Sequence, residues 1–250
     1  MGGEYPAHYD FMGKIITVGS GSSGNCYIIE NDGKQLIIDL GVSFKEVLPY
    51  LNYDISNVVA AVVTHRHVDH SKYIVDCAKY NIPIYTNTDV CSLYPNECKE
   101  IKNGQKLKLD GFTIRTFDLI HDVPNSAFVI TTDNGIKILF CTDTKYIPKI
   151  VKNVNYAIIE CNYSDDIIIE NAMDSDFSRS HYYNHQELNE CITYLSLINN
   201  IGLRGVLLSH ISSSNGDGNM FVKKVVEELG IYNVDYAKTG LIMEIDEEEF

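Results

Sequence analysis

The sequence predicts an α/β fold in which two packed β-sheets lie between outer helices, a four-layer αββα sandwich. Three observations support this fold. Segments rich in Ile and Val alternate with amphipathic segments, the alternation runs through two similar halves, and polar residues collect where the predicted strands end. The chain has 250 residues, of which 45% are hydrophobic, and this is enough to bury one sizeable core. We therefore expect an N-terminal extension over residues 1–13 and a single domain over residues 14–250.

The first half of the chain is predicted to contain four strands and two helices. An Asn-Asp-Gly turn at residues 31–33 favours a β-hairpin between two of the strands. Ser43 and Glu46 have the spacing of a capping box, which indicates the start of a helix, and apolar residues at helical spacing indicate a second helix over 74–78. The predicted strands are Ile15–Val18, Cys26–Glu30, Leu36–Leu40 and the continuous apolar run Val58–Val63.

The second half repeats the alternation. Residues 134–135, Asn-Gly, favour another hairpin, whereas residues 161–183 show no clear period and are predicted to be a surface excursion. Asn184 and Glu187 suggest the N-cap and capping box of a helix, and a last helix is expected to end at Gly230. The predicted strands are Thr113–Asp118, Ala127–Thr131, Ile136–Phe140, Tyr156–Ile159, Val206–Leu208 and Leu241–Ile245.

Composition restricts the class of protein. The net charge of −14 disfavours casual contact with nucleic acid or an anionic membrane, because such partners are attracted by Lys and Arg. No apolar run is long enough to cross a bilayer, and the N-terminus lacks the basic and apolar regions of a secretory signal. The seven cysteines form no Cys-x-x-Cys pair, which is typical of reduced thiols. We therefore expect a cytoplasmic protein with no membrane partner.

The strongest signal for chemistry is the segment His65-Arg-His-Val-Asp-His70, which directly follows the apolar run Val58–Val63. Imidazole nitrogens and carboxylate oxygens are the ligands that Zn²⁺ takes in catalytic sites. Residues 65 and 67 can point the same way from an extended turn, while residues 69 and 70 turn away with the start of a helix and face a second ion. The spacing therefore predicts a metal site with open coordination positions.

This segment matches the His-x-His-x-Asp-His motif and resembles the metallo-β-lactamase-fold hydrolases. The resemblance implies further ligands after later strands, a site for two divalent metal ions with Asp143 as the bridge, and a supporting role for Asp39. It also implies hydrolysis by a hydroxide that the two ions activate, with a catalytic role for Asp69. Zinc is expected, although Mn²⁺ and Fe²⁺ accept the same ligands. The implied ligands are His65, His67 and His121 for one ion and Asp69, His70 and His210 for the other.

Three further segments resemble the WalJ (YycJ) branch of that family, whose members look like cytoplasmic nucleases. They are the glycine-serine loop 19–25, the segment 180–184 with His181, and the segment 210–215. Tyr183 and Ser180 depart from the branch pattern. Consecutive small residues also suit an anion such as phosphate, and His181 is a candidate proton donor. The possible phosphate-binding residues are Ser20, Ser22, Ser23, Asn25, Ser212 and Asn215.

His67 helps to choose the class of reaction, because redox members of the family place Glu at this position and hydrolases place His. The resemblance therefore favours a phosphodiesterase or nuclease acting on nucleic acid or a nucleotide. The net charge of −14 and the total of 20 Lys and Arg residues keep a second possibility open, a hydrolase of a lactone, thioester or cyclic phosphate. A metal-binding protein without turnover is a third.

Overall fold

A computed structural model of the chain describes residues 13–172, 184–199 and 202–246. The strands in these ranges form two sheets of seven strands each. Helices pack on the outer face of each sheet, so the predicted αββα sandwich is confirmed.

The first sheet has the strand order β14-β1-β2-β3-β4-β5-β6. The turn at residues 32–33 joins β2 to β3, and both residues adopt positive φ, which Gly33 tolerates without strain. From β3 to β6 the strands run parallel. The strands are β1 (Gly13–Gly19), β2 (Cys26–Asn31), β3 (Lys34–Ile38), β4 (Val58–Val63), β5 (Ile84–Thr86), β6 (Cys98–Glu100) and β14 (Ile242–Ile245).

The second sheet has the order β13-β12-β11-β10-β9-β8-β7. Strands β7 to β10 are antiparallel neighbours, whereas β10 to β13 run parallel. The strands are β7 (Lys106–Leu109), β8 (Phe112–Leu119), β9 (Asn125–Thr132), β10 (Lys137–Cys141), β11 (Tyr156–Glu160), β12 (Gly205–Ser209) and β13 (Val234–Tyr236).

The helices lie in the connections between strands. The predicted helix after Ser43 begins as an α-helical turn and continues as a 3₁₀ turn over Leu48–Leu51, which contains Pro49. The Ser43 hydroxyl bonds to the Glu46 carboxylate rather than to a backbone N–H. The α-helices are α1 (Phe44–Val47), α2 (Val68–Ser71), α3 (Ile74–Ala78), α4 (Thr88–Leu93), α5 (Asp165–Ala172), α6 (Leu188–Ile198) and α7 (Gly218–Leu229).

Three apolar layers hold the sandwich together, and the two-residue period of the strands explains them. Alternate residues of β4 show the pattern: Ala60 and Val62 face the other sheet, while Ala61 and Val63 face the helices of the first sheet. The central layer contains Tyr27 from the first sheet and Phe140 from the second, with ring centroids 5.3 Å apart. The third layer lies between the second sheet and helices α6 and α7.

Two sequence predictions about helices are wrong. The excursion predicted for residues 161–183 contains helix α5, whose three consecutive Ile residues hide the helical period: Ile168 is buried and Ile169 is exposed. The N-cap of α6 is Glu187 and not Asn184, because the Glu187 carboxylate accepts hydrogen bonds from the backbone N–H groups of Asn189 and Glu190.

Topology places the polar loops at one end of the sandwich. Parallel strands have their carboxyl ends at the same edge of a sheet, and β4, β10 and β12 each lead into one of the loops that carry predicted ligands. None of the helices in the described ranges is long and apolar enough to cross a membrane. All seven cysteines are free of disulfide bonds.

Candidate metal centre

The seven ligands implied by the sequence converge at this end of the sandwich. They form two groups that share Asp143, and within each group one donor atom per residue lies within 4.8 Å of the others. The His-rich group consists of His65, His67, His121 and Asp143. The acidic group consists of Asp69, His70, His210 and Asp143.

The His-rich group presents three imidazole nitrogens at close range. Nδ1 of His67 lies 3.1 Å from Nε2 of His65 and 3.2 Å from Nε2 of His121. A tetrahedral zinc ion with bonds of about 2.0–2.1 Å places its ligands about 3.3 Å apart, so the spacing suits a metal. Burial lowers the pKa values of His65 and His121, which keeps the ring nitrogens neutral and able to coordinate.

The acidic group is buried except for Asp69, which is partly exposed, and it carries opposite charges. Oδ2 of Asp69 lies 3.4 Å from Nε2 of His70 and 3.6 Å from Nε2 of His210. Burial opposes the charged form of both imidazoles, but Asp143 and the other nearby carboxylates outweigh it. They raise the pKa of His70 and bring the pKa of His210 to about 10. For Asp69, too, burial raises the pKa, yet the nearby imidazoles of His210 and His70 leave it lowered.

Asp143 lies between the two groups. Its Oδ2 is 3.8 Å from Nε2 of His65, whereas its Oδ1 is 3.4 Å from Nε2 of His70 and 3.5 Å from Nε2 of His210. The carboxylate therefore turns one oxygen to each group. Asp39, Asp143 and His210 all have positive φ, a strained conformation for residues other than glycine that often occurs at functional sites.

The donors at this centre fit divalent metal ions. Nε2 of His210 is buried and has no hydrogen-bond partner, which is costly unless a cation or proton occupies the space beside it. The set combines imidazoles with ionised carboxylates, the donors that divalent transition metals accept.

Asp39 supports the centre from behind. Its Oδ2 accepts a hydrogen bond from Nδ1 of His70 at 2.7 Å, which leaves Nε2 of that ring directed to the cluster. Its Oδ1 accepts from the backbone N–H of Thr64 at 2.8 Å. The resemblance to the metallo-β-lactamase-fold hydrolases implied this supporting role.

Glu160 and His185 complete a third group with Asp143 and His210, and the sequence analysis missed both. Nδ1 of His185 lies 2.6 Å from Oε1 of Glu160, and its ring stacks on His210 with centroids 5.2 Å apart. Burial disfavours both charges, but the attraction between the two groups lowers the pKa of Glu160 and raises that of His185. Glu160 directly follows the predicted strand Tyr156–Ile159, just as the implied ligands follow predicted strands, and that position was the available signal.

Comparison with known proteins agrees with this geometry. The sequence profile of the β-lactamase superfamily domain matches residues 35–211. The chain belongs to the β-lactamase superfamily. An exodeoxyribonuclease YycJ from Bacillus anthracis is 28% identical over 165 residues, which cover 60% of this chain and 62% of that protein. An exodeoxyribonuclease WalJ from Streptococcus pneumoniae is 28% identical over 173 residues, which cover 62% and 64%.

Alignment with these curated relatives thus extends over somewhat less than two thirds of their length. Among crystal structures, the metallo-β-lactamase fold protein YhfI from Bacillus subtilis superimposes with a TM-score of 0.75 at 21% identity, covering 93% of this chain and 99% of that one. At this identity the similarity shows the fold alone. The resemblance inferred from the His-x-His-x-Asp-His motif is confirmed.

The segment 180–184, which resembles the WalJ branch, lies mostly outside the described residues. His181, the predicted proton donor, is outside the described residues, so its role stays a prediction. The backbone carbonyl oxygen of Asn184 lies 3.3 Å from Nδ1 of His121, where it can accept a hydrogen bond and orient that ring.

The segments that suggested a phosphate nest are largely bonded within the protein. Asn25 is fully buried and the Ser20 hydroxyl accepts two hydrogen bonds from protein donors, whereas Ser22 and Ser23 are exposed. Ser212 accepts from the backbone N–H of Asn215 within its own turn. The backbone carbonyl of Asn215 accepts from the N–H of Ser164, so this residue anchors the start of α5.

Proposed function

We propose that this chain is a metal-dependent phosphodiesterase that cleaves nucleic acid from an end. The observation that carries the proposal is the position of Asp143, whose two oxygens face two separate groups of ligands. A pair of metal sites with a shared carboxylate suits the clamping of a phosphodiester. The relatives named exodeoxyribonucleases support the choice of substrate.

The proposed cofactor is two divalent ions, with zinc favoured by the imidazole-rich ligand set and Mn²⁺ or Fe²⁺ as alternatives. When bound, such ions lower the pKa of coordinated water and neutralise charge on a phosphate. Asp69 is held in the ionised form by its neighbours and therefore remains available as a ligand.

We propose that His185 acts as the proton donor or phosphate contact, alone or together with His181. The Glu160 carboxylate holds Nδ1 of the His185 ring, and a raised pKa favours the protonated form that a general acid needs. The ring lies against both groups of ligands, stacked on His210 and with its centroid 6.0 Å from that of His121. Protonation of the leaving oxygen is the step that this position supports.

The net charge of −14 favours a second candidate function. An extended polyanion normally needs a basic surface, so a small substrate such as a lactone, thioester or cyclic phosphate would suit the composition. A metal-binding protein without turnover would keep the ligands but not the Glu160–His185 pair.

We further propose residues 14–250 as one domain, preceded by the extension 1–13, although β1 already starts at Gly13. Seven free thiols support the predicted cytoplasmic location.

The test combines elemental analysis with a substrate panel. The protein loaded with Zn²⁺ or Mn²⁺ is offered 5′- and 3′-labelled single-stranded and double-stranded DNA, RNA and bis(p-nitrophenyl) phosphate, together with lactones and thioesters. We expect close to two ions per chain and release of nucleotides from a strand end. Efficient hydrolysis of lactones or thioesters with no cleavage of any phosphodiester would replace the proposal with the second candidate. Absence of bound metal after loading would reject both the phosphodiesterase and the second candidate function.

A further inference from the structure

We propose that the glycine-serine loop, residues 19–25, is a brace that positions the ligands of the acidic group and so determines whether that half of the centre holds its ion. The inference rests on the proposed two-metal centre. It gives the loop a role different from the phosphate contact that its small residues suggest.

Asn25 connects the loop to two ligands of the acidic group. Its Oδ1 accepts from the backbone N–H of Gly21 at 2.8 Å, and this bond fixes which end of the amide carries the nitrogen. Nδ2 therefore faces the centre and donates to Oδ2 of Asp69 at 3.3 Å, while packing 2.9 Å from Nε2 of His70, the nitrogen that faces the ion. The backbone N–H of Asn25 donates to the carbonyl of Asp69 at 2.7 Å.

Ser20 connects the loop to the third ligand. Its hydroxyl oxygen accepts a hydrogen bond from the backbone N–H of His210 at 2.9 Å and another from the hydroxyl of Tyr27 at 2.8 Å. Tyr27 is fully buried in the central layer. Because His210 has a positive φ, its loop needs such outside support to keep the conformation that directs the imidazole inward.

Close backbone contacts explain why glycine is needed around this brace. A Cβ atom on Gly41 would lie 1.7 Å from the carbonyl oxygen of Asp69 and 2.7 Å from the backbone nitrogen of Asn25. A Cβ atom on Gly24 would lie 2.5 Å from the carbonyl oxygen of Gly41. The backbones of the loop, of residue 41 and of Asp69 therefore pack so closely that positions 24 and 41 have no room for a side chain.

The brace acts on one half of the centre. Within the described ranges, hydrogen bonds from the loop reach Asp69 and the backbone of His210, Asn25 packs against His70, and no hydrogen bond from the loop reaches the three imidazoles of the His-rich group. Outer partners of metal ligands typically change metal affinity by about 10–100-fold. Loss of a loop contact should therefore weaken the ion of the acidic group and leave the other ion in place.

The experiment compares Asn25→Ala and Ser20→Ala with Ser22→Ala and Ser23→Ala, which alter exposed hydroxyls of the same loop. Zn²⁺ bound per chain is measured after equilibration with a graded series of chelator concentrations. We expect two ions in the unaltered protein and in the two control variants. Asn25→Ala and Ser20→Ala should keep one ion and bind the second about 10–100-fold more weakly.

A mirror variant locates the ion that is lost. His121→Ala should weaken the ion of the His-rich group, so the double variant Asn25→Ala/His121→Ala should retain neither ion firmly. Circular dichroism of each metal-free variant shows whether it folds; if Asn25→Ala does not, Ser20→Ala carries the test. The inference is overturned if the unaltered protein binds two ions and Ser20→Ala binds both with unchanged affinity, or if both ions weaken equally. An unaltered protein that binds no metal contradicts the proposed function instead.

Discussion

The two halves of the metal centre differ in charge but not in burial. Each has one partly exposed ligand, since the His67 and Asp69 side chains are 35% and 23% exposed, and in both groups the other imidazoles are at most 5% exposed. The His-rich group has three imidazoles with one shared carboxylate, and the acidic group has two carboxylates with two imidazoles. The contrast between the two halves is therefore one of charge, and each half has one ligand that reaches solvent.

The contacts that hold the ligand side chains also differ between the two groups. His65 is contacted at Nδ1 by the Thr64 hydroxyl at 3.0 Å, a short and local interaction. His210, in contrast, has Nδ2 of Asn162 3.1 Å from its Nδ1, and its backbone carbonyl accepts from the same amide at 2.6 Å. Ligands held on several sides lose less freedom when an ion binds. The comparison therefore predicts that the acidic group is better preorganised and that the two ions can be separated experimentally.

The largest expected effect comes from Asp143, the residue that the two halves share. Asp143→Ala should weaken both ions and reduce phosphodiester cleavage by roughly 10⁴-fold or more, the scale for removing a member of a catalytic unit. His67→Ala should weaken only the ion of the His-rich group. Metal content and turnover of the two variants, measured side by side, test the comparison. If Asp143→Ala retains both ions, the carboxylate is not the bridge.

His185 should give the next largest effect, because it contacts the centre without belonging to either set of implied ligands. His185→Ala should slow cleavage by roughly 10²–10⁴-fold, the range for a lost general acid, with both ions still bound. The loss should be smaller for a substrate whose leaving group needs no proton, such as p-nitrophenolate.

His181→Ala is the matched comparison for that measurement. If His181→Ala produces the full loss and His185→Ala leaves turnover unchanged, the proton donor is the residue that the sequence resemblance implied. If His185→Ala releases a metal ion, its role is that of a ligand.

The smallest expected effect is a difference in proton release. The pKa of His210 is about 10, above its ordinary value of 6.5. In the metal-free protein this proton stabilises the fold fully below pH 6.5, and the contribution is lost as the pH rises through about 10. At pH 7 an ion that binds the acidic group must displace protons, whereas His65 and His121, with lowered pKa values, have none to release.

Calorimetric titration of the metal-free protein with Zn²⁺, in buffers of different ionisation enthalpy, measures this release. We expect about one to two protons per chain at pH 7, and an affinity of the acidic group that rises with pH. Asp69→Ala, which disables that group, should reduce the release towards zero. Equal proton release from both halves would show that they do not differ in charge as described.

The sequence predicted the chemistry of the centre better than its surroundings. The six residues from His65 to His70 follow a strand that is recognisable from its apolar run, and the later ligands also follow predicted strands. Strands β5, β6 and β13 were missed because three residues are too few to establish a period. Helix α5 was missed because its apolar residues are consecutive.

The amino-acid sequence by itself determined the sandwich, the superfamily and the chemical types of the ligands, because hydrophobic period and local spacing are properties of neighbouring residues. Apart from Asp39, whose supporting role the resemblance implied, only the tertiary structure decided which residues support the ligands. Asn25 lies 44 positions before Asp69, and Ser20 lies 190 positions before His210. Glu160 and His185 are 25 residues apart. Contacts over such distances depend on how the strands are ordered in the two sheets, and no local pattern in a single sequence records that order.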